Sequence, residues 1–286
     1  MPNYRQQTVS SLTNITNCPT CGFTPITDAN IHEASDLFQT DANEALEIYG
    51  AITDWDVSNV TNMYQVFKNQ TFFNQDLSSW DVSNVTNMWE MFRGCEKFNQ
   101  DISSWDVSNV TNMEGMFHGT DFFNQPLNAW DVSSVTNMYQ MFYAAREFDQ
   151  PLNTWDVSSV TNMDGMFLGA HEFNGDISSW NVSSVTDMST MFKAAYKFNK
   201  NISSWDVSSV TTMYLMFNGA TDFAQPIGPW DVSNVTDMDY MFSQAESFNF
   251  DISSWCVEDI PTAPTNFSQG CPLHYLYKPD WGQACP

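Results

Sequence analysis

A tryptophan recurs every 25 residues along most of this chain of 286 residues. Nearly the same phrase surrounds each one: WDVSNVTNM, two variable residues, MF and, a little later, FNQDISS. The positions are Trp55, Trp80, Trp105, Trp130, Trp155, Trp180, Trp205, Trp230 and Trp255. A fixed period of this size is typical of a solenoid, in which each repeat buries its apolar face against its neighbours. Such proteins usually act through the surface they present.

The apolar pattern within one repeat predicts its local structure. Trp105 and Val107 alternate with polar residues, which predicts a short strand with both side chains inward. Met113, Met116 and Phe117 have the i, i+3, i+4 spacing of one helical face. We therefore expect a repeat solenoid, a leucine-rich-repeat-like right-handed coil with parallel β-strands and short helical turns, one coil per 25 residues. The side chains expected inside this coil are Phe98, Ile102, Trp105, Val107, Val110, Met113, Met116 and Phe117.

Composition changes at both ends of the repeats and divides the chain into four parts. Residues 1–27 are an N-terminal tail without the apolar core of a secretory signal. Residues 28–50 are a helical cap, in which residues 30–50 carry an amphipathic pattern that Gly50 ends. Residues 51–260 are the solenoid of about eight to nine coils, and 261–286 are an irregular C-terminal cap that begins with a proline.

The net charge of −25, from 34 acidic and 9 basic residues, argues against nucleic acid as a partner. No apolar run is long enough for membrane insertion. Part of the acidity forms a column of one Asp after each repeat Trp, interrupted by Asn181. Stacked carboxylates repel, so water, salt, a backbone amide or calcium must screen them; calcium is a possible ligand and no other cofactor is expected. The column is Asp56, Asp81, Asp106, Asp131, Asp156, Asp206 and Asp231.

Two further columns consist of Asn and Thr, exemplified by Asn99 and Thr111. We expect their amides and hydroxyls to bond the backbone where the coil bends.

Positions that differ between repeats are free of the demands of the core, and they follow VTNM and MF. Aromatic side chains on an otherwise polar surface are suited to gripping protein or glycan; drift on a solvated face is the alternative. The aromatic residues of this predicted ridge are Tyr64, Trp89, Tyr139, Tyr214 and, one position later, Tyr240. Basic residues such as Lys68, Arg93 and Lys193 cluster just after MF, which predicts one markedly negative side elsewhere.

Of the six cysteines, Cys95 takes a slot that is Ala in later repeats, which predicts a buried free thiol. The disulfide candidates are Cys18, Cys21, Cys271 and Cys285, with Cys271–Cys285 as one example, although pairing is not deducible from sequence. Catalysis is not expected. The four His residues share no spacing, and no nucleophile motif or Gly-rich phosphate loop is present.

The string FNQDISSWDVSNVTNM followed by MF resembles the repeats of the BspA-like bacterial surface proteins, a branch of the leucine-rich-repeat group. The resemblance covers about residues 28–286, and it implies an extracellular or cell-surface, adhesive, protein-binding role with no fixed ligand residues.

The leading hypothesis is a non-enzymatic, monomeric surface or secreted repeat protein that binds a protein or glycan ligand through its variable columns. One alternative is a structural component of a cell coat, shell or filament, in which solenoids stack end to end. Proline-rich or disulfide-closed ends, which this chain has, oppose such stacking. A minor alternative is ice binding through the Thr column, whose members are single rather than paired.

Overall fold

The computed structural model describes residues 22–285. Two helices open this part of the chain, α1 (Ile31–Thr40) and α2 (Ala42–Tyr49). Single 3₁₀ turns follow at Ile52–Asp54 and, near the other end, at Tyr275–Tyr277. Residues 30–50, expected to be helical, thus form two helices, because Asp41 ends α1 and its carboxylate caps α2 through the N–H groups of Asn43 and Glu44.

Between these ends, each 25-residue repeat lies on the one before it. The N–H of each repeated Thr donates to the C=O of the Thr in the preceding repeat, as Thr111 does to Thr86 at 2.9 Å. Two residues on, a Met N–H donates in the opposite direction, as Met88 does to the C=O of Asn112 at 3.0 Å. The residues between them form isolated parallel bridges: Asn62–Asn87, Asn87–Asn112, Asn112–Asn137, Asn137–Asn162, Asn162–Asp187, Asp187–Thr212 and Thr212–Asp237. We call this set of backbone bonds the ladder.

The predicted leucine-rich-repeat-like coil with parallel β-strands and short helical turns is wrong. Residues 22–285 contain no strand, because each repeat contributes a single bridging residue to the ladder. The Trp–Val alternation leads instead into a tight turn, in which the N–H of Val110 donates to the C=O of Val107. The Met and Phe spacing reflects consecutive reverse turns. Their repeated left-handed residues, such as Glu90 (φ 51°), cannot continue an α-helix.

The apolar core is one continuous cluster, and all eight residues expected inside the third coil are buried. Identical rings stack between repeats, as Phe142 and Phe167 do with centroids 5.5 Å apart and parallel planes. The tryptophans at the 25-residue period also stack, and each of their indole N–H groups is paired, as Trp105 Nε1 is with the C=O of Leu77 at 3.0 Å. Stacking of the repeats therefore buries the apolar surface of each of these tryptophans and gives its indole N–H an acceptor.

The two ends of the stack are closed by different means. At the N-terminal end, Ser35 of α1 is buried and donates to the C=O of Val66, which docks the helices on the first repeat. At the C-terminal end, Trp281 packs edge-on against Phe267 at 5.0 Å. A disulfide joins Cys256 to Cys285 across the segment that carries Trp281.

Candidate functional site

The variable face of the stack is built by consecutive reverse turns. In the first repeat, Val66 N–H donates to the C=O of Met63 and Gln70 N–H donates to the C=O of Phe67. The third residue of each turn has a positive φ, 56° at Gln65 and 63° at Asn69, as type II turns require. These turns project the residues at 64, 65, 68 and 69, and their counterparts in every repeat, away from the core.

The structure places the five predicted ridge residues on this face, in contacting groups. The rings of Tyr64 and Trp89 lie 4.8 Å apart, with His32 of α1 against Tyr64 at 6.2 Å. Tyr214 and Tyr240 meet edge to face at 6.4 Å near the other end. These side chains are partly exposed, the most accessible being Tyr214 at 38%.

Tyr139 lies between the two aromatic pairs, in a more polar setting. Its hydroxyl accepts a hydrogen bond from Gln140 Nε2 at 2.8 Å. Burial and the carboxylates of Asp164 and Glu114 raise the pKa of Tyr139, so it stays protonated. The ridge is therefore two aromatic contacts separated by an acidic, hydrogen-bonded stretch.

A buried carboxylate lies beneath the first aromatic pair. Glu90 is 6% exposed and accepts hydrogen bonds from Lys68 Nζ at 2.6 Å, from Gln65 Nε2 at 2.5 Å, and from Arg93. Burial disfavours its charge, but the hydrogen bonds from these three residues outweigh burial and lower the pKa of Glu90. Lys68 and Arg93, which occupy the same column of the repeat, both bind Glu90 and hold it beneath the aromatic pair.

Two buried polar atoms near this cluster have no hydrogen-bond partner among the described residues: Trp89 Nε1 and His118 Nδ1. The His118 ring stacks on Tyr143 with centroids 4.2 Å apart. Burial and the nearby Arg93 lower the pKa of His118 to about 4, so the imidazole is neutral near pH 7. A buried donor or acceptor without a partner costs folding free energy. The region around Trp89 and His118 therefore carries an unfavourable contribution to stability.

The Asp column after the tryptophans is exposed, and most of its carboxylates are turned onto their own chain. Asp81 Oδ1, for example, accepts from both the hydroxyl and the N–H of Ser83, at 2.6 and 3.1 Å. Those two bonds lower the pKa of Asp81, so the charge is stabilised locally. Within residues 22–285, no group of three or more Asp, Glu, His or Cys residues is arranged to hold a metal ion. The arrangement thus gives the calcium hypothesis no support; a serine and an amide provide the screening.

The Asn and Thr columns bond the backbone as expected. The N–H of Asn124 donates to Asn99 Oδ1 at 3.0 Å. The hydroxyl of Thr86 donates to the C=O of Thr61 at 3.2 Å, beside the amide bond between the same residues. Because these hydroxyl protons already have acceptors within the protein, the Thr column offers little to an ordered water lattice, which argues against ice binding.

The cysteines correct one expectation and agree with another. Cys285 pairs with Cys256, and Cys271 is a free, half-buried thiol, so the Cys271–Cys285 example is wrong. Cys18 and Cys21 lie outside the described residues. Cys95 is a buried free thiol as predicted, and burial raises its pKa strongly. Pairing depends on where the tail crosses the last repeat, which the sequence does not reveal.

Further basic residues lie at the corner that follows the variable face; the sequence showed these cations but not their partners. The corner carries Lys97 3.9 Å above the Phe122 ring, an Arg146–Asp121 ion pair and a Lys197–Asp222 ion pair at 3.2 Å. Their partners, Phe122, Asp121 and Asp222, come from the neighbouring repeat, and the sequence pattern did not predict these contacts.

In class, the molecule is a repeat protein whose core and ladder are built from residues common to the repeats, with a variable face along one side. Its sequence matches the family described as Mycoplasma protein of unknown function, DUF285, over residues 32–153, 125–214 and 176–273. These matches span most of the chain, which therefore belongs to that repeat family; the match is not to the BspA-like proteins. No curated protein is similar enough to match. Among the described residues, none of the helices is long and apolar enough to cross a bilayer.

Proposed function

We propose that the protein is a non-enzymatic, surface-displayed or secreted binding protein that holds a protein or glycan ligand on the ridge of Tyr64, Trp89, Tyr139, Tyr214 and Tyr240. The observation that carries the proposal is the pairing of partly exposed aromatic rings on the variable face, at Tyr64–Trp89 and Tyr214–Tyr240. Partly exposed Tyr and Trp side chains supply most of the binding energy at many interfaces. The more specific BspA-like, adhesive role is part of this proposal.

One further observation supports an extracellular setting, and the charge bears on the surfaces that the protein can approach. The chain carries a disulfide between Cys256 and Cys285, and disulfides persist mainly in oxidising compartments. Its net charge of −25 favours solubility and opposes anionic surfaces. A structural role in a shell or filament has less support, because docked helices cover one end of the stack and a disulfide-bonded tail covers the other.

The test is a screen of the intact protein on a glycan array, with a parallel pull-down of cell-surface proteins. Each hit is then measured with Trp89→Ala and Tyr214→Ala. We expect about a tenfold or greater loss of affinity from at least one of them, as for a buried interface aromatic. Tyr196→Ala is the matched control, because Tyr196 is 41% exposed but lies off the ridge and stacks on His171. If none of these substitutions alters the affinity for a ligand, the ridge is not its binding site.

A further inference from the structure

The ladder stops one repeat before the chain does. In seven consecutive repeats the Thr C=O accepts the N–H of the next Thr, ending with Thr211 accepting from Thr236 at 2.9 Å. The residue that should continue the series is 25 positions further on, at 261, and it is a proline. Proline has no N–H, so the C=O of Thr236 has no backbone donor among residues 22–285.

The companion bond is missing at the same place. The first Met of each repeat, from Met63 to Met213, donates its N–H to the C=O located 24 residues later, as Met213 does to Asp237 at 2.9 Å. The corresponding acceptor for Met238 would be the C=O of Thr262, but within the described residues the Met238 N–H has no backbone partner. The chain rejoins the stack at Thr265, whose C=O accepts from Tyr240 N–H at 2.8 Å.

The detour of residues 261–264 opens a cleft beside these unpaired groups. The cleft has a volume of about 320 Å³. Its lining is Thr236, Asp237, Met238 and Asp239 on one side, and Ile260, Pro261, Thr262, Ala263, Pro264 and Thr265 on the other. Thr236 is exposed, whereas Met238 is buried, so the accessible unpaired group of this edge is the C=O of Thr236. An exposed, unpaired backbone edge is the template on which extended peptides add themselves as a strand.

The opposite end of the ladder shows that such an edge needs a partner. There the N–H groups of Thr61 and Asn62 donate to Asp28 Oδ1 at 2.8 and 3.0 Å, and the Thr61 hydroxyl donates to Asp28 Oδ2 at 2.7 Å. One carboxylate from the cap thus replaces the C=O of an absent repeat. Nothing in the described residues plays the complementary role for Thr236 and Met238.

The charges of the cleft select the occupant. Among the described residues that line it, two are Asp and none is Lys, Arg or His. Asp237 accepts from Asp239 N–H at 2.9 Å and Asp239 accepts from Thr265 N–H at 2.5 Å. A single amide bond leaves each carboxylate with capacity for another donor. A second copy of this chain is disfavoured for two reasons. The N–H groups of its first repeat, at Thr61 and Asn62, are already paired with Asp28. Its Asp28 carboxylate would also lie against Asp237 and Asp239.

We propose that the cleft between Thr236–Asp239 and Ile260–Thr265 binds an extended, lysine- or arginine-bearing peptide segment of a partner protein. One peptide N–H donates to the C=O of Thr236, while the buried Met238 N–H takes no part. The flanking cationic side chains lie against Asp237 and Asp239. This site is independent of the aromatic ridge and uses backbone pairing, so it recognises conformation and charge more than a particular side-chain shape.

The experiment is fluorescence anisotropy with the full chain and a fluorescein-labelled heptapeptide of alternating lysine and valine, blocked at both ends. We expect saturable binding. N-methylation of the peptide amides should weaken binding about tenfold, the effect of losing the backbone hydrogen bond to the Thr236 C=O. A glutamate–valine peptide of the same design should not bind.

Protein variants locate the site. Thr262→Trp fills the cleft from an exposed loop position and should abolish binding, and Asp237→Asn with Asp239→Asn should weaken it several-fold. Asp187→Asn is the matched control from the same column in an internal repeat, and Asn at this slot is native to other repeats, for example Asn137. Trp89→Ala should leave peptide binding intact, which separates this site from the ridge.

Four results would overturn the proposal: no saturable binding, equal binding of the N-methylated peptide, equal binding of the glutamate–valine peptide, or full binding by Thr262→Trp with native circular dichroism. Sedimentation of the free protein tests the rival occupant. Self-association that rises with concentration and is lost in Thr262→Trp would assign the cleft to a second copy instead.

Discussion

The two ends of the ladder meet the same physical demand in opposite ways. At the N-terminal end, two helices roof the first repeat and Asp28 satisfies its free amides. At the C-terminal end, a disulfide and a packed tryptophan hold the tail over the last core rings, but Pro261 leaves the ladder edge open. Covering apolar rings and pairing backbone groups are therefore separate tasks, and only one end of this molecule performs both.

The largest expected contrast comes from removing one core ring at each end. Phe67 is fully buried and stacks on Phe73 and Phe92, with centroids 4.0 and 5.6 Å away. Phe67→Ala should cost about 3–5 kcal/mol of unfolding free energy, the usual cost of such a cavity. Phe267→Ala should cost less, because Phe267 is 5% exposed and has only edge-on ring neighbours. Urea denaturation followed by tryptophan fluorescence measures both, and equal losses would mean that the ends are packed alike.

The disulfide tests how much of the C-terminal closure depends on a covalent bond. Cys256 and Cys285 are 29 residues apart, and replacing both by Ser should destabilise this end by about 2–4 kcal/mol through lost loop-closure entropy. Hydrogen exchange should then rise at Ile260 and Gly282 and stay unchanged at Thr61, at the far end. A matching rise at Thr61 would show that the stack opens as one unit, and Cys271→Ser, which breaks no disulfide, is the control.

Asp28 tests the N-terminal edge. Asp28→Ala should lower stability by about 1–2 kcal/mol, since it leaves the amides of Thr61 and Asn62 to water and removes the acceptor of the Thr61 hydroxyl. Asp28→Asn keeps Oδ1, which accepts both amides, and should cost less.

The same contribution should depend on pH. Burial disfavours the Asp28 charge, yet the hydrogen bonds from Thr61 and Asn62 prevail and hold its pKa below 3.8. The stabilisation is then complete above pH 3.8 and is lost as the pH falls through the lower, folded-state value. Melting temperatures of wild type and Asp28→Ala should differ near neutral pH and converge in strong acid. A difference in melting temperature that widened in acid would contradict the predicted pH dependence.

The smallest expected effect concerns a carboxylate that pairs inside its own turn. Asp131 accepts from the N–H and hydroxyl of Ser133, two residues away, at 3.0 and 2.7 Å. Asp131→Ala should cost about 0.5 kcal/mol, because these exposed bonds exchange readily with water. The comparison is the thermal unfolding of Asp131→Ala beside Asp28→Ala. A larger loss for Asp131 would mean that the local turns, and not the caps, limit stability.

Part of the candidate site was predictable from the sequence. Variation between repeats located the ridge, because positions outside the core, such as Tyr64 and Tyr214, are free to change. Glu90 was not predictable as a buried residue beneath the ridge, since its three partners come from two repeats and two different columns. The unpaired edge at Thr236 was also hidden, although Pro261 in a Thr slot was a visible signal.

The sequence by itself determined the period, the stacking of like residues and the identity of the core, because a strict 25-residue repeat of apolar groups can be buried only against its own copies. The tertiary structure decided how the backbone joins those copies. The same Trp–Val and Met–Phe spacings suit strands and helical turns, but residues such as Glu90 and Ala144 adopt positive φ (51° and 53°). Single bridges and reverse turns result, since packing between repeats overrides the local preference of each segment.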